Sequence, residues 1–194
     1  MNTFFTSDLH LGHPKVIQYS ERPFSCIEEM DEALIANWNK TVTNIDKVFV
    51  LGDFSFHKAQ ENEKILKRLK GQKFLIKGNH DHKNLIPAKG FQWVSPLETV
   101  KVGDDIVVLC HFPILSWDRM HYGSWMLHGH CHGGLRLPRE LVTAKIMDVG
   151  VDSVASELCL ESRQENYRPV EFEEVKAMRR NAVSCSVDYH SVRS

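Results

Sequence analysis

Apolar residues along this chain fall into short runs that end abruptly in polar, ligand-type residues. Val48, Phe49, Val50 and Leu51 form a β-branched and aromatic run without alternation, the pattern of a strand buried on both faces of a sheet. Gly52 stops the run and Asp53 follows at once, so a carboxylate is held at the carboxyl end of a buried strand, where open α/β sheets place their ligand sites. Residues 3–7, 74–77, 106–110, 125–127 and 144–149 read as further strands. Between the first of these, Ser25-Cys26-Ile27-Glu28 has the capping-box pattern, and Ile27, Met30, Leu34 and Trp38 then recur at helical spacing, which predicts a helix over 27–40. A second helix is predicted over 58–70, with Ala59, Ile65, Leu66 and Leu69 facing inward and Gly71 as its stop.

Strand and helix therefore alternate through the first half, and a right-handed crossover between parallel strands follows. The second half reads differently. Val100 and Val102 lead through Gly103-Asp104-Asp105 into the 106–110 run as a hairpin, and no long helix separates the later strands. Pro169 is expected to open a weaker helix over 170–180. The reading is one domain over 1–180 and a polar, frayed carboxyl-terminal tail over 181–194.

The strand exits carry the chemistry. The 3–7 run ends in Asp8-Leu9-His10; Leu51 ends in Gly52-Asp53; the 74–77 run ends in Gly78-Asn79-His80-Asp81; the 106–110 run ends in His111; and the 125–127 run ends in His128-Gly129-His130-Cys131-His132. Five candidate strands deliver oxygen or imidazole ligands at the same end, which a random scatter of 11 His would not do. The pattern is that of a metal site. His130 and His132 are two apart, so an extended segment turns both to one face.

In that order, Asp8-x-His10, Gly52-Asp53, Gly78-Asn79-His80-Asp81, His111 and Gly129-His130-x-His132 resemble the motifs of the calcineurin-like metallophosphoesterases, of the small bacterial or phage type, over residues 1–152. The resemblance implies an α/β fold, an α/β/β/α sandwich of two mixed β-sheets flanked by helices. It implies two divalent ions, one held by Asp8, His10, Asp53 and His132 and the other by Asp53, Asn79, His111 and His130, with Asp53 bridging. It implies that His80 binds no metal and serves as general acid for the leaving oxygen. The donor set has nitrogen and oxygen without sulfur, which favours manganese, iron or zinc. The expected activity is hydrolysis of a phosphoester, with a phosphodiester such as a cyclic nucleotide or a nucleotide end preferred over a monoester because no large inserted cap domain is evident. One departure matters. Three residues after Asp53, where the phosphoprotein phosphatase branch has an Asp that orients the His, this chain has Phe56, so the partner of His80 is open and Asp81 is a guess.

Composition narrows the setting. At 194 residues one core suffices, since about 70% of the unfolded chain's surface can be buried at that size. The balance of 24 basic against 25 acidic residues gives no sign of a nucleic-acid-coating protein, so any attraction for phosphate is local. The five Cys are odd in number and lack Cys-x-x-Cys spacing, which argues against a disulfide framework or a thiolate zinc site. With no secretory pattern and no apolar run of membrane-spanning length, a cytoplasmic protein without membrane association is expected.

Other polar residues carry less. His13 shares the loop of His10 and is a candidate phosphate contact. Arg22, before Pro23-Phe24, reads as a surface residue rather than a bidentate phosphate contact. His57, His82, His121 and His128 read as structural or exposed, and Cys110 and Cys131 as packing residues. Trp117, Tyr122 and Trp125 are either core or a stacking surface for a base. Two rival functions differ in class: a helical HD-type phosphohydrolase built on His80-Asp81, and a non-catalytic scaffold on the same fold, as in a retromer subunit that has lost catalytic residues.

Overall fold

A computed structural model describes residues 1–81, 89–158, 163–185 and 187. Four strands, β1 (Thr3–Thr6), β2 (Lys47–Val50), β3 (Gln72–Ile76) and β4 (Phe91–Ser95), lie parallel in the order β4-β3-β2-β1. The helices expected between them form as α2 (Ile27–Thr41) and α3 (Ala59–Arg68), preceded by a short α1 (Pro14–Tyr19). Proline at the first turn suits α1, because the missing N–H is one that no helix satisfies internally.

The second sheet runs β5-β6-β7-β8, with β5 (Leu97–Val102), β6 (Asp105–Cys110), β7 (Trp125–His128) and β8 (Ile146–Asp148). Only β5 and β6 form the expected hairpin; β6, β7 and β8 are mutually parallel, so this sheet is mixed rather than mainly hairpin. A helix that the pattern did not reveal, α4 (Val151–Leu158), follows β8 directly.

The 170–180 helix is corrected at its start. Val170–Glu171 pairs antiparallel with β1 as β9, and α5 (Phe172–Met178) begins only after it, opened by a capping box between Glu171 and Glu174. Val170 is fully buried in the apolar layer between the two sheets, and its pairing with the open edge of β1 outweighs the local helical signal. The Ser25 capping box is also different in detail: Cys26 occupies the N-cap, and the Ser25 backbone N–H and hydroxyl both donate to Glu29 rather than Glu28.

Alternation along each strand builds three apolar layers. Phe4, Val48 and Val50 face α2 and α3, whereas Phe5, Phe49 and Leu51 face the second sheet, where they meet Val107, Leu109, Trp125 and Leu127. Val108, Met126 and Ile146 point to the far side and pack under Trp117, Met120 and Leu141. Trp117 and Trp125 are thus core, while Tyr122 is 80% exposed. Buried on both faces, β1, β2, β6 and β7 hold their carboxyl ends in register, and all the motif residues emerge at one edge of the sandwich. Past α5, Val183 bridges to Ala144, and Cys185 and Val187 lie against the third layer. Among the described residues no helix is long and apolar enough to cross a membrane.

Candidate metal centre

Five strand exits converge. Asp8 Oδ1 lies 3.9 Å from His10 Nε2 and 3.9 Å from His132 Nε2, and His10 Nε2 lies 3.7 Å from Asp53 Oδ2. His111 Nε2 stands 3.5 Å from that same Asp53 oxygen. Donors about 2.1 Å from a common ion are themselves roughly 3 to 3.5 Å apart, so these separations are close to a ligand cage. Two groups of three potential donors result, Asp8 with His10 and His132, and Asp8 with Asp53 and His111. Asn79 Oδ1 is 2.9 Å from His111 Nε2. His130 lies outside both groups, with its ring centroid 5.2 Å from that of His111 and its backbone N–H donating to Asp8 Oδ2 at 2.9 Å.

The backbone is bent to achieve this. Asp8, His10, Asp53, His130 and His132 all have positive φ, between 48° and 70°, a conformation that side-chain-bearing residues adopt at a cost of about 1 kcal/mol or more each. Neighbouring strands impose it: the Asp8 N–H donates to Gly52 O and the His10 N–H to Asp53 O, each at 3.0 Å. Two glycines permit the closeness. A Cβ on Gly78 would overlap Asp53, and one on Gly129 would overlap Ser7 Oγ and Asp8 Oδ2.

The electrostatics fit a cation. Asp8 Oδ1 and both ring nitrogens of His10 are buried without any hydrogen-bond partner, a state that costs several kcal/mol when it is left uncompensated. Burial, opposed by His132, raises the Asp8 carboxyl from 3.8 to about 7. Burial also lowers His10 to about 2, so its imidazole is neutral and its lone pair is free to ligate. His111 donates from Nδ1 to Leu51 O at 2.7 Å, which turns Nε2 to Asn79 Oδ1 and Asp53. A metal-bound histidine is oriented in the same way, its second ring nitrogen donating to a carbonyl.

Three supports were not legible beforehand. Asp152, on the first turn of α4, lies 2.6 Å from His132 Nδ1, which fixes that ring with Nε2 towards Asp8. Burial alone would lower His132, but the Asp152 hydrogen bond and the charge of Asp8 raise it. Arg22, expected at the surface, is only 4% exposed. Its Nε and Nη2 reach the two Asp152 oxygens at 2.8 Å, while Nη1 and Nη2 donate to Leu9 O and Asp8 O. One guanidinium therefore ties the Asp8 loop to the His132 support.

Asp81 is the second correction, since it does not orient His80. Its oxygens accept the backbone N–H groups of Asp53, Phe54 and Gly78 at 3.0, 2.9 and 2.7 Å and lock the two ligand turns together. The third support is Asp31, which accepts from Gly12 N–H and pairs with His57 Nε2 at 2.9 Å, bracing the loop between His10 and His13. Of these, the strand-exit rule that found the other ligands could have flagged Asp152, four residues past β8.

His80 is exposed at the rim, its backbone N–H donating to Asp53 Oδ1 at 2.8 Å. Phe56 fills the place of a carboxylate partner, its ring 5.3 Å from His80 and stacked on His13 at 4.3 Å. His128 is buried and hydrogen-bonded to Gly129 O, His121 is half-buried, and His82 lies outside the described residues. Cys110 and Cys131 are free, half-buried thiols.

The family model described as calcineurin-like phosphoesterase matches residues 1–157. An uncharacterized protein of Methanocaldococcus jannaschii, MJ1445, is 34% identical over 131 residues, covering 66% of this chain and 68% of that protein. The gene 66 protein of Mycobacterium phage L5 is 32% identical over 183 residues, covering 78% of this chain and 87% of its own. In structure, a protein of unknown function from Aquifex aeolicus, AQ665, shares the fold with a TM-score of 0.67 at 20% identity, over 91% of this chain and 98% of that one. The family match spans every motif residue from Asp8 to Asp152, and the chain belongs to the calcineurin-like phosphoesterases.

Proposed function

We propose that the protein is a dinuclear metal-dependent phosphodiesterase. The observation that carries the reading is the position of Asp53 Oδ2, 3.7 Å from His10 Nε2 and 3.5 Å from His111 Nε2, one carboxylate oxygen between two donor sets. Asp8, His10, His132 and Asp53 would hold one ion, and Asp53, Asn79, His111 and His130 the other, with manganese, iron or zinc suited to nitrogen and oxygen donors. Two such ions, when bound, polarise phosphoryl oxygens and supply a water of lowered pKa.

The chain's own residues do the rest. His80 stands at the rim and donates a proton to the leaving oxygen, and its backbone tie to Asp53 Oδ1 keeps it in register with the shared carboxylate. Asp81 and the Arg22–Asp152 pair keep the ligand turns from relaxing out of their positive-φ conformations. Asn79, His80 and His130 are all exposed, so the second substituent of a diester has open space beside the phosphoryl group. A nucleotide ester is the substrate class that suits this opening.

The test is turnover of bis-(p-nitrophenyl) phosphate against p-nitrophenyl phosphate by manganese-loaded protein, with Asp53→Asn as the control. The diester should be cleaved faster, and Asp53→Asn should lose activity and occupancy at both sites. A tenfold preference for the monoester, about 1.4 kcal/mol in barrier, would make the protein a phosphomonoesterase. Two tightly held ions in Asp53→Asn would remove the bridging role.

A further inference from the structure

Ten phenylalanines occur in the chain, and Phe112 alone among them is exposed, at 45%. It belongs to none of the three apolar layers. It directly follows His111, and its ring stands edge-on to both His111 and His130, with centroids 5.0 and 4.7 Å away. Leu115, three residues on, is 59% exposed. Phe112 thus borders the donor cluster at His111 and His130, whereas the ring of Phe56 meets His13 and His80.

Single exposed apolar residues are ordinary on protein surfaces. This one is distinguished by its place, because two imidazoles of the centre hold it as a ready-oriented aromatic platform beside the position of the phosphate. A ring already fixed in this way gives up little conformational freedom when another ring is laid on it.

We propose that Phe112 is a specificity-determining residue, a platform on which the nucleobase of the substrate stacks while its phosphate occupies the centre. This rests on the phosphoester reading given above and adds to it the residue that recognises the base. A phenyl ring offers a face without hydrogen-bonding groups, so it selects a base over no base and does not distinguish one base from another.

The test compares adenosine 5′-monophosphate with ribose 5-phosphate as ligands of the manganese-loaded protein, measured by calorimetry in the parent, Phe112→Ala and Phe112→Trp. The two ligands share sugar and phosphate and differ only in the base. Phe112→Ala should weaken the nucleotide by roughly tenfold, the size of a single base–aromatic stack, and shift ribose 5-phosphate by less than about twofold, with Phe112→Trp restoring the nucleotide. Equal weakening of both ligands would mean that Phe112 merely props His130, and an unchanged nucleotide affinity would mean that it touches no substrate; either result overturns the assignment and leaves the phosphoester reading standing. Failure of both ligands to bind the parent protein would overturn the Phe112 assignment, and the diester assay above would decide the phosphoester reading separately.

Discussion

Asp152 gives the sharpest perturbation, because its two oxygens serve a buried cation and a metal-type histidine at once. Arg22 has no exposed side-chain surface and Asp152 has 7%, and they are joined by two bonds of 2.8 Å. Asp152→Ala would leave a guanidinium buried without its counter-charge, which costs about 3–5 kcal/mol of folding stability. The bonds from Arg22 to Leu9 O and Asp8 O remain, so the lower half of that range is expected. Separately, His132 Nδ1 would lose its carboxylate partner and keep only Ser20 Oγ, at 3.2 Å, and the loss of such an outer support costs about 10- to 100-fold in metal affinity, or roughly 1.4–2.7 kcal/mol. Asp152→Asn should retain more stability than the alanine yet still weaken the metal, since a neutral amide oxygen holds the Nδ1 proton less firmly than the carboxylate does and its NH2 group must face one of the Arg22 donors. Urea unfolding in excess chelator isolates the first effect, and manganese titration of the folded variants isolates the second. Manganese affinity within twofold of the parent in both variants would refute the orienting role.

Two further outcomes are expected. His80→Ala should keep its fold and its metals while losing rate by about 10² to 10⁴ on esters of alkyl alcohols, and far less on nitrophenyl esters, whose leaving group departs without a proton; metal loss, or equal slowing of both ester types, would remove the general-acid role. In excess chelator Asp8 contributes stability that is lost as pH rises from about 4 to 7, because it holds a proton in the folded state up to about 7 and releases it near 3.8 when unfolded, whereas His10, lowered to about 2 in the folded state, contributes the opposite slope up to its ordinary 6.5; Asp8→Asn should therefore gain stability more steeply with pH than the parent, and a variant with the same urea-unfolding pH slope as the parent would contradict this.

The strand exits were legible because each is local: a β-branched run, a stop and a ligand-type residue lie within a few positions, and periodicity fixes which end of the sheet they share. The parallel half of the sandwich was legible for the same reason. What could not be read lies in contacts between distant parts of the chain. β9 looks helical until the open edge of β1 claims Val170. Phe91–Ser95 becomes a strand only beside β3.

The sequence by itself determined which residues could bind metal and that they leave strands on one edge, since both follow from side-chain chemistry and period. Only the tertiary structure decided how those residues are held. Arg22 is charged and precedes a proline, so nothing local argues for burial; it is buried because Asp152, 130 positions away, neutralises it and two ligand-loop carbonyls accept its remaining donors. Asp81 follows His80 in sequence and invites pairing with it, yet three backbone N–H groups from two separate turns saturate its oxygens first. Hydrogen-bond satisfaction in a buried space is a property of the assembled neighbourhood, and no window of sequence contains it.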